Sequence, residues 1–190
     1  GDALLVIDEE GVLQRFKVRD DRRLSLLPPP EGYVLKSAKW AGVSDAVVAL
    51  YQSAQQWMVA SYQPTGEVVT LYKGPVQVRQ YTSSLNGNST LLNLGREGLQ
   101  ITSSDGLGRR PLSYNQQVDQ AVMHPNGRTT FLLNKGKTSG ALIDLDEQSP
   151  PILIKMTDEV IQARFSPNGL WLLTTTSKGA QVWSAASGQL

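Results

Sequence analysis

Cysteine is absent from the 190 residues, which rules out disulfides, thiolate metal sites and cysteine nucleophiles. The same absence suits a reducing cytoplasm or a bacterial periplasm equally, so the compartment stays open. Histidine occurs once, as His124, and imidazole dyads or His-rich metal centres have no second ring to draw on. Neither sign of charge dominates. Eighteen Lys and Arg stand against 17 Asp and Glu, a formal charge of +1, so no global field attracts nucleic acid or an anionic membrane surface. No apolar run approaches the roughly 18 residues of a membrane span, and the N-terminal GDALLVIDEEG lacks the basic flank and cleavage pattern of a signal peptide. Long amphipathic stretches with a 3.6-residue period are missing as well. What is there, 40% hydrophobic and 18% charged residues, is the composition of an ordinary globular domain. The start on strand-like ALLVI and the stop at turn-like SGQL lead us to expect a soluble piece of a longer parent chain.

Against that background, Val34, Val76, Val118 and Val160 recur every 42 residues, and a period of about 40–45 residues suits a four-stranded β-propeller blade. The last two valines open closely matching segments, VDQAVMHPNG and VIQARFSPNG. In the final unit VIQARF reads as a strand, Ser166-Pro167-Asn168-Gly169 as a turn, LWLLTTT as a strand, Ser177-Lys178-Gly179 as a turn and AQVWS as a strand. Proline presets φ, and Asn and Gly tolerate positive φ, so such tetrapeptides reverse a chain between antiparallel strands. The expected layout is a half-blade at about 3–30 and blades at about 33–70, 75–110, 117–150 and 159–190. In the half-blade ALLVI and VLQRFKV are expected as the last two strands, closed by the stiff PPPEG. Gly98 and Gly140, again 42 apart, fit the same phase. The fold class expected is an all-β propeller of four-stranded antiparallel meanders, about four and a half blades, within a larger propeller.

FSPNG, SKG, VW and SGQ occupy the places of a pattern in which this chain resembles the WD-repeat family: F-S-P-D/N-G, strand, S-x-D-G, strand ending in W-D, then a T-G-x turn. Trp183 is followed by Ser184, the equivalent strand of the preceding blade carries Ile143-Asp144, and no Gly-His pair opens a blade. The chain is therefore WD-like, and the resemblance implies rigid blades that present loops on two rims.

Chemistry-bearing residues are sparse. His124 takes the turn position that Ser166 fills one repeat later and reads as a solvent-exposed turn residue. Lys135-Gly136-Lys137-Thr138 has Phe131 where a phosphate-binding loop needs glycine, and reads as a flexible turn. Asp8-Glu9-Glu10 and Asp144, Asp146, Glu147 lack the alternating spacing of a calcium loop and read as solvated turns. Arg15, Lys17, Arg19, Arg22 and Arg23 read as a charged edge, Arg109-Arg110-Pro111 as a loop, and Asn88-Ser89-Thr90 as a chance sequon. Trp40, Trp57, Trp171 and Trp183 are expected mostly between blades, with one or two free to anchor a partner. No catalytic, cofactor-binding or metal-ligating residue is assigned, and no cofactor is expected.

The expected function is a non-enzymatic protein-interaction or scaffolding propeller segment, the soluble extracytoplasmic part of a larger bacterial membrane protein such as an ABC-type transporter permease, which would place it in the periplasm. A protein partner is expected, nucleic acid is not, and strands of the parent chain or a second copy complete the half-blade. The alternative is a propeller hydrolase that works through channel carboxylates.

Overall fold

The computed structural model describes residues 3–18, 22–41 and 45–190, without the side chains of 22–26. Among the described residues, eighteen strands form five antiparallel sheets, each a simple meander. The first blade holds β1 (Ala3–Ile7), β2 (Leu13–Lys17) and β3 (Arg22–Leu27). The second holds β4 (Val34–Trp40), β5 (Val47–Gln52), β6 (Trp57–Tyr62) and β7 (Val68–Gly74). The third holds β8 (Gln80–Ser83), β9 (Ser89–Asn93), β10 (Leu99–Ser103) and β11 (Arg109–Leu112). The fourth holds β12 (Val118–Met123), β13 (Thr129–Asn134), β14 (Ser139–Asp144) and β15 (Ile152–Lys155). The fifth holds β16 (Val160–Phe165), β17 (Trp171–Thr176) and β18 (Gly179–Ser184). In the third, fourth and fifth blades the first strand is the innermost, because β12 touches β8 on one side and β16 on the other. This is the β-propeller arrangement expected.

One backbone hydrogen bond closes the first turn of each blade and fixes the true phase of the repeat. It runs from Ala41 to Ala46, Ser84 to Ser89, His124 to Thr129 and Ser166 to Trp171, at 2.8–2.9 Å. The steps between these donors are 43, 40 and 42 residues, so the repeat is not strictly periodic. Six residues before each donor stand Leu35, Val78, Val118 and Val160. Only the last two of the four equally spaced valines are therefore equivalent, and Val76 lies ahead of β8 altogether. Gly98 and Gly140 are likewise out of phase. Leu99 pairs with Asn93 while Gly140 pairs with Leu133, one place later in the blade. Gly98 is glycine because φ is +85°, whereas Gly140 is glycine because a Cβ would come within 2.5 Å of Phe131.

Each interface between neighbouring blades has its own apolar core. Leu5, Leu13 and Leu27 meet Val47, Tyr51, Met58 and Tyr62. Leu50, Val59 and Leu71 meet Tyr81, Leu92 and Leu94. Leu91, Leu99 and Ile101 meet Ala121, Leu132 and Ile143. Phe131, Leu142 and Ile154 meet Ala163, Leu172 and Trp183. Both faces of a middle strand such as β13 are thus buried, which explains its run Thr130-Phe131-Leu132-Leu133 without alternation.

Two expectations about strands need correction. The N-terminal unit carries three strands, not two, because Arg22–Leu27 pairs with β2 in spite of its two arginines. Leu5, Leu13 and Leu27, one from each of its strands, pack against the second blade. Arg109-Arg110-Pro111 is an outer edge strand, not a loop; Pro111 is tolerated there because no further strand asks for its missing N–H.

Candidate functional site

Three of the inner strands share a β-bulge at one position, and that position helps build the site. In β12 the register shifts between Val118 and Gln120, in β16 between Val160 and Gln162, and in β4 between Leu35 and Ser37. The bulged residues are Asp119, Ile161 and Lys36, and counting from the turn places Arg79 at the same point of the third blade. A bulge turns the extra side chain out of the ladder, and all four are exposed. The turns between the second and third strands of each blade end at the same rim, bringing Arg96 and Lys135 beside them.

A cavity of about 190 Å³ opens between the third and fourth blades, lined by Arg79, Gly95, Arg96, Gln117, Val118, Asp119 and Lys135. Its floor is rigid. The buried Asn93 donates to the Val118 carbonyl at 3.2 Å and accepts from the Gly95 N–H at 2.9 Å, tying the short 3-10 turn Gly95–Glu97 to β12. Gly95 has φ +66°, and a Cβ on it would lie 2.6 Å from Arg79 Nε. The arginine therefore lies across bare backbone. Asp119 faces Lys137 Nζ at 3.7 Å. The pocket thus gathers three cations and one carboxylate whose partner is a fourth cation, a local field that favours an anionic ligand although the whole chain is nearly neutral. On the next blade Lys178 Nζ approaches Asp158 Oδ1 to 2.6 Å. That hydrogen bond holds the Asp158 carboxyl below its ordinary range and raises Lys178.

The opposite rim carries a larger cleft of about 590 Å³ between the fourth and fifth blades, which includes His124, Arg128, Asp144 and Trp171. His124 is not a free turn residue. Its Nδ1 accepts from the Asn126 N–H at 3.0 Å, Nε2 contacts the Gly169 carbonyl at 2.7 Å, and the ring packs edge-on against Phe165 at 4.8 Å. With Nδ1 accepting, Nε2 carries the proton, and the histidine staples one HPNG-type turn to the next.

The other sequence candidates fall into place around these two rims. Asp8 accepts from Glu10 N, Val12 N and Gln14 Nε2, and this lowers its pKa. Asp144 caps its own turn through Asp146 N, Glu147 accepts from Ser113 N, and Asp146 pairs with Arg110 at 3.3 Å. The second acidic group therefore also links the fourth blade to the edge of the third. Arg15 stacks over Trp40 at 5.6 Å and Arg109 over Tyr72 at 5.9 Å; Arg19 and the side chains of Arg22 and Arg23 lie outside the described residues, as do residues 42–44 of the second-blade turn. Trp183 is buried with Nε1 donating to Thr174 Oγ1 at 2.9 Å, while Trp171 is half exposed. Among the described residues no three His, Asp or Glu side chains converge on a metal position.

Arg79, Arg96 and Asp119 were not singled out from the sequence, and Lys135 was read only as part of a flexible turn, since the four lie scattered over 57 residues in no motif. The available signal was positional: Arg79 and Asp119 each precede a glutamine on an inner strand.

A β-propeller with a cationic rim pocket is the class this geometry defines. The solved structures it is similar to share the β-propeller fold. An oligogalacturonate lyase in complex with manganese superposes with TM-score 0.76 at 11% identity, over 99% of this chain and 60% of its own length. Hsv2 from Kluyvelomyces marxianus superposes with TM-score 0.65 at 10% identity, over 97% of this chain and 57% of its own. No family model and no curated protein matches the sequence. At these identities the likeness is one of fold, and the chain spans about three fifths of either neighbour. The expectation of a non-enzymatic scaffold is nevertheless overturned as the leading reading. The fold over nearly the whole chain is shared with an oligogalacturonate lyase, a likeness that favours the alternative, a propeller hydrolase working through channel carboxylates, over the scaffold.

Proposed function

We propose that this chain forms part of a propeller enzyme that cleaves anionic oligosaccharides, with the pocket of Arg79, Arg96, Lys135 and Asp119 as its substrate site. The observation that carries this is the charge pattern of the pocket, three cations around one carboxylate. The oligogalacturonate lyase fold supports the same direction. Glycoside hydrolysis ordinarily needs two carboxylates, one on each side of the scissile bond, and this pocket holds one. Elimination beside a uronate carboxylate needs a different set: cations to neutralise the carboxylate and one proton acceptor. Arg79 and Arg96 serve the first need through forked, permanently charged donors. Asp119 serves the second, its carboxylate oxygens being the proton acceptor among the charged side chains of the pocket. It takes the proton from the carbon beside the carboxyl group. The bond from the adjacent carbon to the glycosidic oxygen breaks, a carbon–carbon double bond forms, and the leaving oxygen takes a proton from solvent. The last two blades we read as WD-like, on HPNG, SPNG and the buried Trp183.

The test is to incubate the whole protein with oligogalacturonate and follow the ultraviolet absorbance of an unsaturated product. Absorbance is expected to rise, and Asp119→Asn to lower kcat by about 10²–10⁴ with little change in KM. New reducing ends without absorbance would replace elimination by hydrolysis. Neither product, with no binding, would sink the proposal.

A further inference from the structure

The two sides of Asp119 are built differently, and backbone hydrogen bonds fix both. On one side the Arg79 N–H donates to the Asn93 carbonyl at 2.8 Å, while the Asn93 side chain donates to the Val118 carbonyl. These ties set Arg79 and Arg96 on the third-blade flank of Asp119. On the other side the Val160 N–H donates to the carbonyl of Lys137, the residue that faces Asp119, at 2.9 Å. That tie sets Ile161, the bulged residue of β16, on the fifth-blade flank. Lys137 has φ +61°, in the left-handed region that side-chain-bearing residues seldom adopt, and its own N–H donates to the Asn134 carbonyl at 2.9 Å. The turn that joins Asp119 to Ile161 is therefore held at both ends.

Charge differs between the flanks as sharply as shape. The third-blade flank offers Arg79 and Arg96, both lining the cavity; Glu97, next in sequence, lies within electrostatic reach of Tyr72 on the second blade instead. On the fifth-blade flank the cations are already matched, Lys137 by Asp119 and Lys178 by Asp158 at 2.6 Å. Exposed Glu159 adds a negative charge directly before Val160. Ile161, 67% exposed, puts an aliphatic side chain at the point of the inner strand where the preceding two blades carry Arg79 and Asp119. Arg164 lies farther along β16, toward the opposite rim, where it lines a cavity with Pro125 and Pro167.

We infer that the site is directional: the uronate that loses its proton lies on the third-blade flank against Arg79 and Arg96, and the sugar that departs lies against Ile161 and carries no charge. The inference rests on the elimination proposed for this pocket. Its substrate class is a chain in which a uronate is joined, through the oxygen that leaves, to a neutral sugar. A second carboxylate on the fifth-blade flank would meet Glu159 and Asp158 rather than a free ammonium, a like-charge approach that costs affinity. A neutral ring instead lays its C–H face on Ile161 and takes apolar surface out of water.

Two disaccharides test this with the whole protein: a methyl galacturonoside carrying at O4 either galactose or galacturonate. Ultraviolet absorbance of the unsaturated product gives kcat/KM for each. The galactose compound is expected to be cleaved about tenfold more efficiently, and Ile161→Lys, at a largely exposed position, is expected to bring the two close to equality by speeding the galacturonate compound. Equal efficiency in the unmodified protein, or faster cleavage of the galacturonate compound, would overturn the directional site and leave the elimination standing. A preference that Ile161→Lys does not alter would overturn it too. Flat absorbance with both compounds would overturn the elimination, and the inference with it.

Discussion

Single side chains in this protein are worked hardest where polar groups are buried between blades. Tyr51 and Tyr62 put their hydroxyls 2.6 Å apart inside the first interface, and Tyr81 donates to the Val48 carbonyl at 3.1 Å inside the second. Burial pushes the Tyr51 phenol far above its ordinary value of 10.0 and Tyr81 up to about 12. Below about pH 10 these phenols are neutral in folded and unfolded chains alike, so their contribution to stability is fully present. Above it the unfolded chain releases protons that the folded chain holds, and stability falls as pH rises toward about 12. Urea unfolding should therefore show a midpoint that is flat near neutrality and drops above about pH 10. Tyr51→Phe should cost about 1–2 kcal/mol, since it strands the Tyr62 hydroxyl, and it should soften that alkaline drop. A midpoint indifferent to pH up to 11 or so would contradict the buried placement.

At the scale of elements, the bulge and the close strand–strand packing explain what a blade tolerates. Gly140 sits in β14 with Phe131 Cζ and the Leu132 carbonyl 2.5 and 2.6 Å from where a Cβ would be. Neither can retreat, one being a fully buried ring and the other backbone. Gly140→Ala should cost about 1–3 kcal/mol in denaturant unfolding, although the same change at a relaxed strand glycine stabilises; a neutral result would show the fourth blade to be loosely packed. The blades themselves were largely legible, because HPNG and SPNG carry turn chemistry that depends on local φ alone. What misled was arithmetic regularity. Val34 and Val76 keep a spacing of 42 while the turns that define the blade step by 43 and 40, since turn lengths vary freely on a surface. β3 and β11 were missed or misread because arginine and proline disguise edge strands, whose outer side need satisfy nothing. The site was barely legible. Its sequence signal was confined to Lys135, read as part of a flexible turn, because Arg79, Arg96 and Asp119 come from separate strands and turns that meet only in the folded chain.

At the scale of the whole molecule, among the described residues both terminal blades carry exposed apolar side chains, Leu4 and Val6 on β1 and Leu173 and Val182 on the fifth blade. Function follows from the same geometry, since charges spread thinly along the sequence are concentrated where successive inner strands converge. The central claim is that the Arg79, Arg96, Lys135 and Asp119 pocket is built for an anionic oligosaccharide, and calorimetric titration of the whole protein tests it most directly. Oligogalacturonate should bind, its methyl-esterified neutral counterpart should bind at least about tenfold more weakly, and Arg79→Gln with Arg96→Gln should erase that difference, each lost charge-assisted contact being worth about 1.5–3 kcal/mol. Equal affinity for the charged and neutral chains, or full discrimination retained by the double variant, would contradict the account.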